Sequence, residues 1–166
     1  MPAIRVGHGY DLHRLEPVAP LGSGRPLRLG GAALPSERGP VGHSDGDALL
    51  HAITDALLGA IGAPDIGELF PDSAPENEGR DSADFLLEAA ARVRQAGFAI
   101  ASLDATVILE RPRLAPHKAA IRQRIAGLLG VEPALVNIKG KTHEQVDAVG
   151  QGRAIEVHAV VVVVGH

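Results

Sequence analysis

Asp11 and His13 stand two residues apart in the run Gly7-His8-Gly9-Tyr10-Asp11-Leu12-His13. In an extended chain that spacing points both side chains the same way. A carboxylate oxygen and an imidazole nitrogen converging on one point suit a divalent cation, zinc above all. A surface hydrogen bond is the plainer alternative. His51 closes the run His43-Ser44-Asp45-Gly46-Asp47-Ala48-Leu49-Leu50-His51, among apolar residues. It reads equally as a core histidine satisfied by hydrogen bonds or as an oriented ligand, with Asp55 one helical turn on to hold its ring. His43 and Ser44 precede the helix, where unpaired N–H groups and the positive dipole end can seat a phosphate; capping by Ser44 is compatible with that. Asp45 and Asp47 disfavour a bare anion there. The late segment Lys139-Gly140-Lys141-Thr142-His143-Glu144 offers cations for phosphates, a hydroxyl and a carboxylate for a second, oxygen-loving cation. It lacks the spacing of a P-loop, and the chain has no His-Glu-x-x-His run and no Gly-x-Gly-x-x-Gly.

These residues need elements to place them. Residues 4–15 read as a strand running into a loop, 16–25 as a Pro- and Gly-rich turn, 27–34 as a second strand, and 35–42 as punctuation. A helix starts near Ser44, with Asp47 as the acid of its first turn. Leu49, Leu50, Ile53, Leu57 and Ile61 form its apolar stripe, and Gly62 and Pro64 end it. Residues 64–80 have no hydrophobic period and suit a lid or binding loop, although acidic tips such as Asp65 and Asp72 ordinarily mean a solvated turn. Asp81 or Ser82 caps a second helix to about Gln95. A strand over 100–109, a helix over 116–129 stopped by Gly130, and strands over 136–142 and 154–164 complete the order. The expected fold is therefore α+β: a single-domain sandwich over residues 1–166, with a sheet covered by helices on one face. The valine run at 160–164 implies a strand buried on both faces. Helices cover only one, so a second copy of the chain is the economical partner for the other.

Composition narrows the function. The chain has 166 residues, no cysteine, 2% aromatic residues and a net charge of -4. Any metal falls to His, Asp and Glu, and the core to Ala, Val, Leu and Ile. The balance argues against nucleic acid, and no apolar run approaches the ~20 residues of a membrane span. The N-terminal residues lack a signal-peptide pattern, so cytoplasmic is the default expectation.

The runs at 7–13 and 43–59, Asp65-Ile66-Gly67-x-x-Phe70-Pro71-Asp72, residues 110–117 and Val136-Asn137-Ile138-Lys139 together resemble the 2-C-methyl-D-erythritol 2,4-cyclodiphosphate synthases over nearly the whole chain. The resemblance implies a homotrimer of ferredoxin-like type, with a mostly antiparallel sheet in each subunit facing inward and active sites between adjacent subunits. It implies zinc on Asp11, His13 and His51, polarising the β-phosphate of a cytidine-diphosphate methylerythritol phosphate while the 2-phosphate attacks and CMP leaves. His43 and Thr142 match the transition-state stabilisers, and Glu144 the ligand of a second cation, magnesium or manganese. The substrate-binding positions that match are Asp11, Leu12, His13, His43, Ser44, Asp65, Ile66, Gly67, Phe70, Pro71, Asp72, Ser73 and Ala74. Leu109, Glu110, Arg111, Pro112, Arg113, Leu114 and Ala115 match the segment whose backbone reads cytosine, followed by Lys141, Thr142, His143 and Glu144.

Two departures stand out. Gly140 and Lys141 replace the family's usual Ala-Thr before Thr142, and Ala148 and Gln151 replace a Phe and an Arg. In the family that Arg helps hold an isoprenyl diphosphate in the trimer cavity. Arg153, two residues on, can restore the charge if both lie on one face of a strand. Another zinc-dependent phosphoryl transferase or hydrolase, or a trimeric zinc-bound binding protein without turnover, are the competing readings; intact His43, Thr142 and Glu144 speak against the last.

Overall fold

Ile4–Pro17 forms one long strand, β1, and its alternation divides the molecule. Gly7, Gly9 and Leu15 face inward, while Val6, His8, Tyr10 and Leu12 face the opposite, open side. The computed structural model describes residues 2–71 and 73–166. After β1 come β2 (Arg28–Leu29), β3 (Ala32–Ala33) and β4 (Arg38–Pro40), then α1 (Ala48–Ala60), α2 (Ile66–Leu69) and α3 (Ser82–Gln95). The chain closes with β5 (Phe98–Ile108), α4 (Lys118–Leu129), β6 (Val136–Lys141), α5 (Asp147–Gly150) and β7 (Ala154–Gly165).

The main sheet has the order β4-β1-β7-β5-β6. Every neighbour pair in it is antiparallel except β5 with β6, as expected for an α+β chain. Helices α1, α3 and α4 lie on one face, over a core of aliphatic side chains: Leu49, Ile53, Leu57, Leu86, Ile121, Val157, Val161 and Val163 are all buried. Ile108, Val149 and Ala154 make a second small cluster, on which Ala148 packs.

The expected elements from residue 81 onward agree with the structure to within a few residues. Asp81 caps α3 through the Ala83 N–H, and Gly130 ends α4 in the left-handed conformation. Earlier segments differ. The strand expected over 27–34 is a two-stranded hairpin, β2 and β3, turned by Gly30 and Gly31, both at positive φ. Residues 35–42 contain β4, an edge strand that a Pro and a Gly disguise. Residues 64–80 hold α2 and a 3-10 turn at Pro75–Asn77. Helix α1 begins at Ala48, and its cap is Asp47, not Ser44. In β7 only one face is covered within the chain: Val161 is fully buried, whereas Val160 on the other face is 38% exposed.

Glycines decide how closely α1 sits on β1. A Cβ at Gly9 would lie 1.8 Å from the Ala52 carbonyl oxygen, and one at Gly7 1.8 Å from that of Ala56. Glycine on the strand and alanine on the helix let the two backbones touch. His51, beside Ala52, is thereby brought against the inward face of β1.

Candidate metal centre and phosphate-facing residues

Asp11, His13 and His51 come together, two from β1 and one from α1, with one ligand atom from each within 4.8 Å of the others. Among the described residues this is the group that could hold a metal ion. Asp11 Oδ2 is 2.9 Å from His13 Nδ1 and 3.2 Å from His51 Nδ1. The His13 contact is out of line for a hydrogen bond, so the buried His13 Nδ1 has no hydrogen-bond partner. Burial alone would raise the Asp11 carboxyl, but the two imidazoles outweigh it and hold the pKa at about 2. Burial likewise opposes charging of His51, yet Asp11, with Asp47 and Asp45 behind it, raises its pKa. A carboxylate that stays ionised, two imidazoles turned toward it and an orphaned ring nitrogen fit a divalent cation.

The far side of His51 is also wired. Its Nε2 is 2.8 Å from Ser82 Oγ and 3.3 Å from Ser44 Oγ, and Phe85 packs beside the ring at 6.1 Å. Asp55 does not hold the ring as expected; its carboxylate accepts the Ile66 N–H at 2.8 Å and anchors α2. Burial raises the Asp55 pKa, with Asp65 adding to the effect. Asp47 is fully buried and accepts N–H groups from Gly30, Gly31 and Leu50. The N-terminus of α1 thus already carries an internal carboxylate, which takes the Leu50 N–H of its first turn. Burial pushes the Asp47 pKa up, although those three N–H groups work against it.

The substrate-facing candidates divide between two places. Ser44 is buried beside His51, while His43 is exposed, its carbonyl taking the Gly79 N–H at 2.6 Å. Asp65 caps α2 through the Glu68 N–H, and Ile66 and Gly67 lie in that short helix. Asp55 and Asp65 line a cavity of ≈ 290 Å³ with His8, Gly9, Tyr10, Gly59 and Ala63. Phe70 stacks 4.7 Å from Phe85, with the Arg80 guanidinium over both rings. Pro71 and Ser73 are exposed and Ala74 is half-buried; Asp72 lies outside the described residues. Leu12 points away from the triad, 50% exposed on the open face.

The second group lies across the sheet. Three strand spacings separate β1 from β6, about 14 Å. Lys141 is exposed at its end and Thr142 and Glu144 just beyond it, and His143 pairs with Asp147 at 2.8 Å. Leu109 and Leu114 bury their side chains in the core, so the segment at 109–115 offers mainly backbone and the exposed Arg111 and Arg113, with Glu110 half-buried before them, Pro112 half-buried between them and Ala115 exposed at its end. Lys139 is engaged by Asp104 and is not a free cation. Gln151 and Arg153 are not on a strand: Gly152, at φ 69°, turns the chain between them, and Arg153 donates twice to the Gln151 amide oxygen. The strand-spacing argument for Arg153 therefore falls, although the two side chains do meet.

Comparison with known proteins agrees with this geometry. Residues 4–164 match the YgbB family. The chain belongs to that family. A 2-C-methyl-D-erythritol 2,4-cyclodiphosphate synthase of Chromobacterium violaceum is 53% identical over 157 residues, covering 95% of this chain and 96% of its own. The chloroplastic synthase of Catharanthus roseus is 52% identical over 159 residues, 96% of this chain; the chain spans about two thirds of that relative, 65% of its length. Among solved structures, IspF of Plasmodium falciparum in a CDP complex is 32% identical, with a TM-score of 0.84 over 98% of this chain and 97% of that one.

Asp45 and Ser82 are the residues around the centre whose roles the sequence did not disclose. Their link spans 37 positions and follows no period. The one signal was Ser82 beside Asp81 at the start of α3, which read as a cap.

Proposed function

We propose that the chain converts 4-diphosphocytidyl-2-C-methyl-D-erythritol 2-phosphate to 2-C-methyl-D-erythritol 2,4-cyclodiphosphate and CMP in the non-mevalonate isoprenoid pathway. It does so as a cytoplasmic phosphorus–oxygen lyase folded as one domain of ferredoxin-like type. The observation that carries this reading is the convergence of Asp11, His13 and His51 in a member of the YgbB family. An oxygen of the 2-phosphate forms a bond to the β-phosphorus, the bond to the CMP oxygen breaks, and CMP leaves with the electron pair. Such a transfer needs positioning and charge stabilisation rather than a protein nucleophile. Zinc held by the triad supplies Lewis-acid stabilisation of phosphate charge. Asp65 and Gly67 hold the methylerythritol, and Phe70 and Pro71 shape the same loop. The backbone at 109–115 reads cytosine. His43 and Thr142 bear on the transferring phosphoryl group, and Glu144 takes magnesium or manganese.

A homotrimer is part of the proposal. Within one chain the triad and Thr142 lie on opposite sides of the sheet, too far apart to act on one diphosphate. A neighbouring copy that brings its β6 end to this β1 closes that gap. The open face supports such packing: Ile4 is 68% exposed and Val6 62%, and both are apolar. In that assembly Arg153 and Gln151 border the inner cavity where an isoprenyl diphosphate binds.

The test is CMP release from the cytidine-diphosphate substrate by zinc-replete protein with added magnesium, beside His51→Ala. Turnover is expected to fall on the order of a hundredfold or more in the variant. Zinc-loaded, assembled wild type that releases no CMP would overturn the reading.

A further inference from the structure

Ser82 is fully buried, and its hydroxyl faces two partners. One is Asp45 Oδ1, its closest contact, and the other is His51 Nε2 at 2.8 Å. Asp45 also accepts the Ser82 N–H through its other oxygen at 3.3 Å. An ionised carboxylate can only accept hydrogen bonds, and a serine hydroxyl has one proton to give. The shorter, charge-assisted bond takes that proton. What Ser82 Oγ turns toward the imidazole is then a lone pair, so Nε2 must be the donor. The Ser44 hydroxyl stands farther from Nε2, at 3.3 Å, and takes the Gly46 N–H.

We propose that Ser82, held by Asp45, is a positioning residue that fixes His51 as its Nε2–H tautomer and reserves Nδ1 for the metal. A neutral imidazole protonates one nitrogen, so a donor at Nε2 leaves the lone pair on Nδ1. That nitrogen is the one 3.2 Å from Asp11 Oδ2. Two lone pairs facing each other at this distance call for a proton or a metal ion between them. The ring cannot turn without losing the Ser82 bond or moving against Phe85. The pair also ties α3 to α1: Asp45 precedes one helix, Ser82 begins the other, and His51 lies between them. Metal-ligating histidines generally give their second N–H to such a partner, and losing it costs about 10- to 100-fold in metal affinity.

The inference rests on the metal-centre reading of Asp11, His13 and His51, and the experiment separates the two. The 15N spectrum of the His51 ring is recorded for zinc-free protein at alkaline pH and again after zinc is added. The expected result is a protonated Nε2 in both states, with Nδ1 shifting when zinc binds. In Ser82→Ala, zinc affinity measured by chelator competition falls about 10- to 100-fold and the zinc-free ring becomes a mixture of tautomers. Ser82→Thr, which keeps the hydroxyl, restores both. A zinc-free ring protonated at Nδ1, or a Ser82→Ala protein with unchanged tautomer and affinity, overturns the inference. Wild type with the Nε2–H tautomer but no zinc uptake leaves Ser82's role standing and sinks the metal centre. The wild-type spectra decide the tautomer even if Ser82→Ala does not fold.

Discussion

Asp11 and His13 on β1 and the Thr142–Glu144 stretch beyond β6 are short polar segments at one sheet, and their surroundings differ in kind. The first is covered by α1, and its Asp11 carboxylate meets His51, 40 residues away in the chain. The second is exposed, and its contacts are local: the Glu144 N–H to Thr142 Oγ1 at 3.4 Å, and His143 to Asp147. Three non-glycine residues at its end and just after it, Glu144, Gln145 and Asp147, sit at positive φ of 51°, 65° and 61°. One segment is organised by its own subunit. The other holds a costly backbone shape through bonds between near neighbours: Asp147 accepts the Val149 and Gly150 N–H groups and pairs with His143.

The largest expected effect falls on the organised side. Gly9→Ala places a methyl 1.8 Å from the Ala52 carbonyl oxygen, backbone against backbone, so α1 must lift from β1. Urea denaturation should show a loss of about 3 kcal/mol or more, together with loss of zinc binding. A change below about 1 kcal/mol would mean that the close seat of α1 is not what assembles the triad. Asp47→Ala comes next. It removes the α1 cap and strands the Gly30 and Gly31 N–H groups, for about 2–3 kcal/mol in the same assay. Zinc itself should add about 2.7 kcal/mol when present at a hundred times its dissociation constant. A chelator should therefore lower the melting temperature of wild type but leave that of His13→Ala unchanged.

These outcomes also measure what the sequence made legible. Asp11 and His13 could be paired on paper because a strand repeats every two residues, and α3 could be bounded because Asp81 and Gly97 punctuate it. His51 was readable only as one of two things, since helical spacing says which face it lies on and not what covers that face. The partner assigned to it, Asp55, was wrong because α2 offers Asp55 an unpaired N–H closer at hand. Asp47, not Ser44, caps α1 because the glycine hairpin at 30–31 brings two more donors to it, a tertiary fact invisible in the local sequence. The edge strand β4 was hidden by the Gly39 and Pro40 that an edge tolerates. Local periodicity carried the elements; contacts between elements distant in sequence decided the site.

On the bare side the expected effects are smaller, and one is of opposite sign. Gln145→Gly relieves a left-handed backbone at an exposed position and should stabilise the subunit by up to about 1 kcal/mol. If the strained shape serves catalysis, CMP release should fall even as the melting temperature rises. A variant that gains stability with full turnover would show that the strain serves nothing in the reaction.

The smallest effect concerns Asp104, on the open face beside β6. Lys139 Nζ lies 2.5 Å from its carboxylate and Asn137 Nδ2 2.8 Å, and the lysine above all holds its pKa below the ordinary carboxylate value. A folded-state pKa below the unfolded one means that the pair stabilises the fold above pH ~4 and that this contribution is lost as pH falls through the depressed value. Both side chains are nearly half exposed, so solvent and salt leave less than about 1 kcal/mol. Asp104→Asn should cost that little at neutral pH in dilute protein, and the difference from wild type should vanish in acid. The same variant can test whether the open face becomes an interface. Covered by a second copy, the pair loses its solvent screening, so the cost at neutral pH should grow with protein concentration and become less sensitive to salt. A cost that stays small and salt-sensitive at every concentration would place Asp104 outside any interface, and the bare side of the sheet would then have to be completed elsewhere.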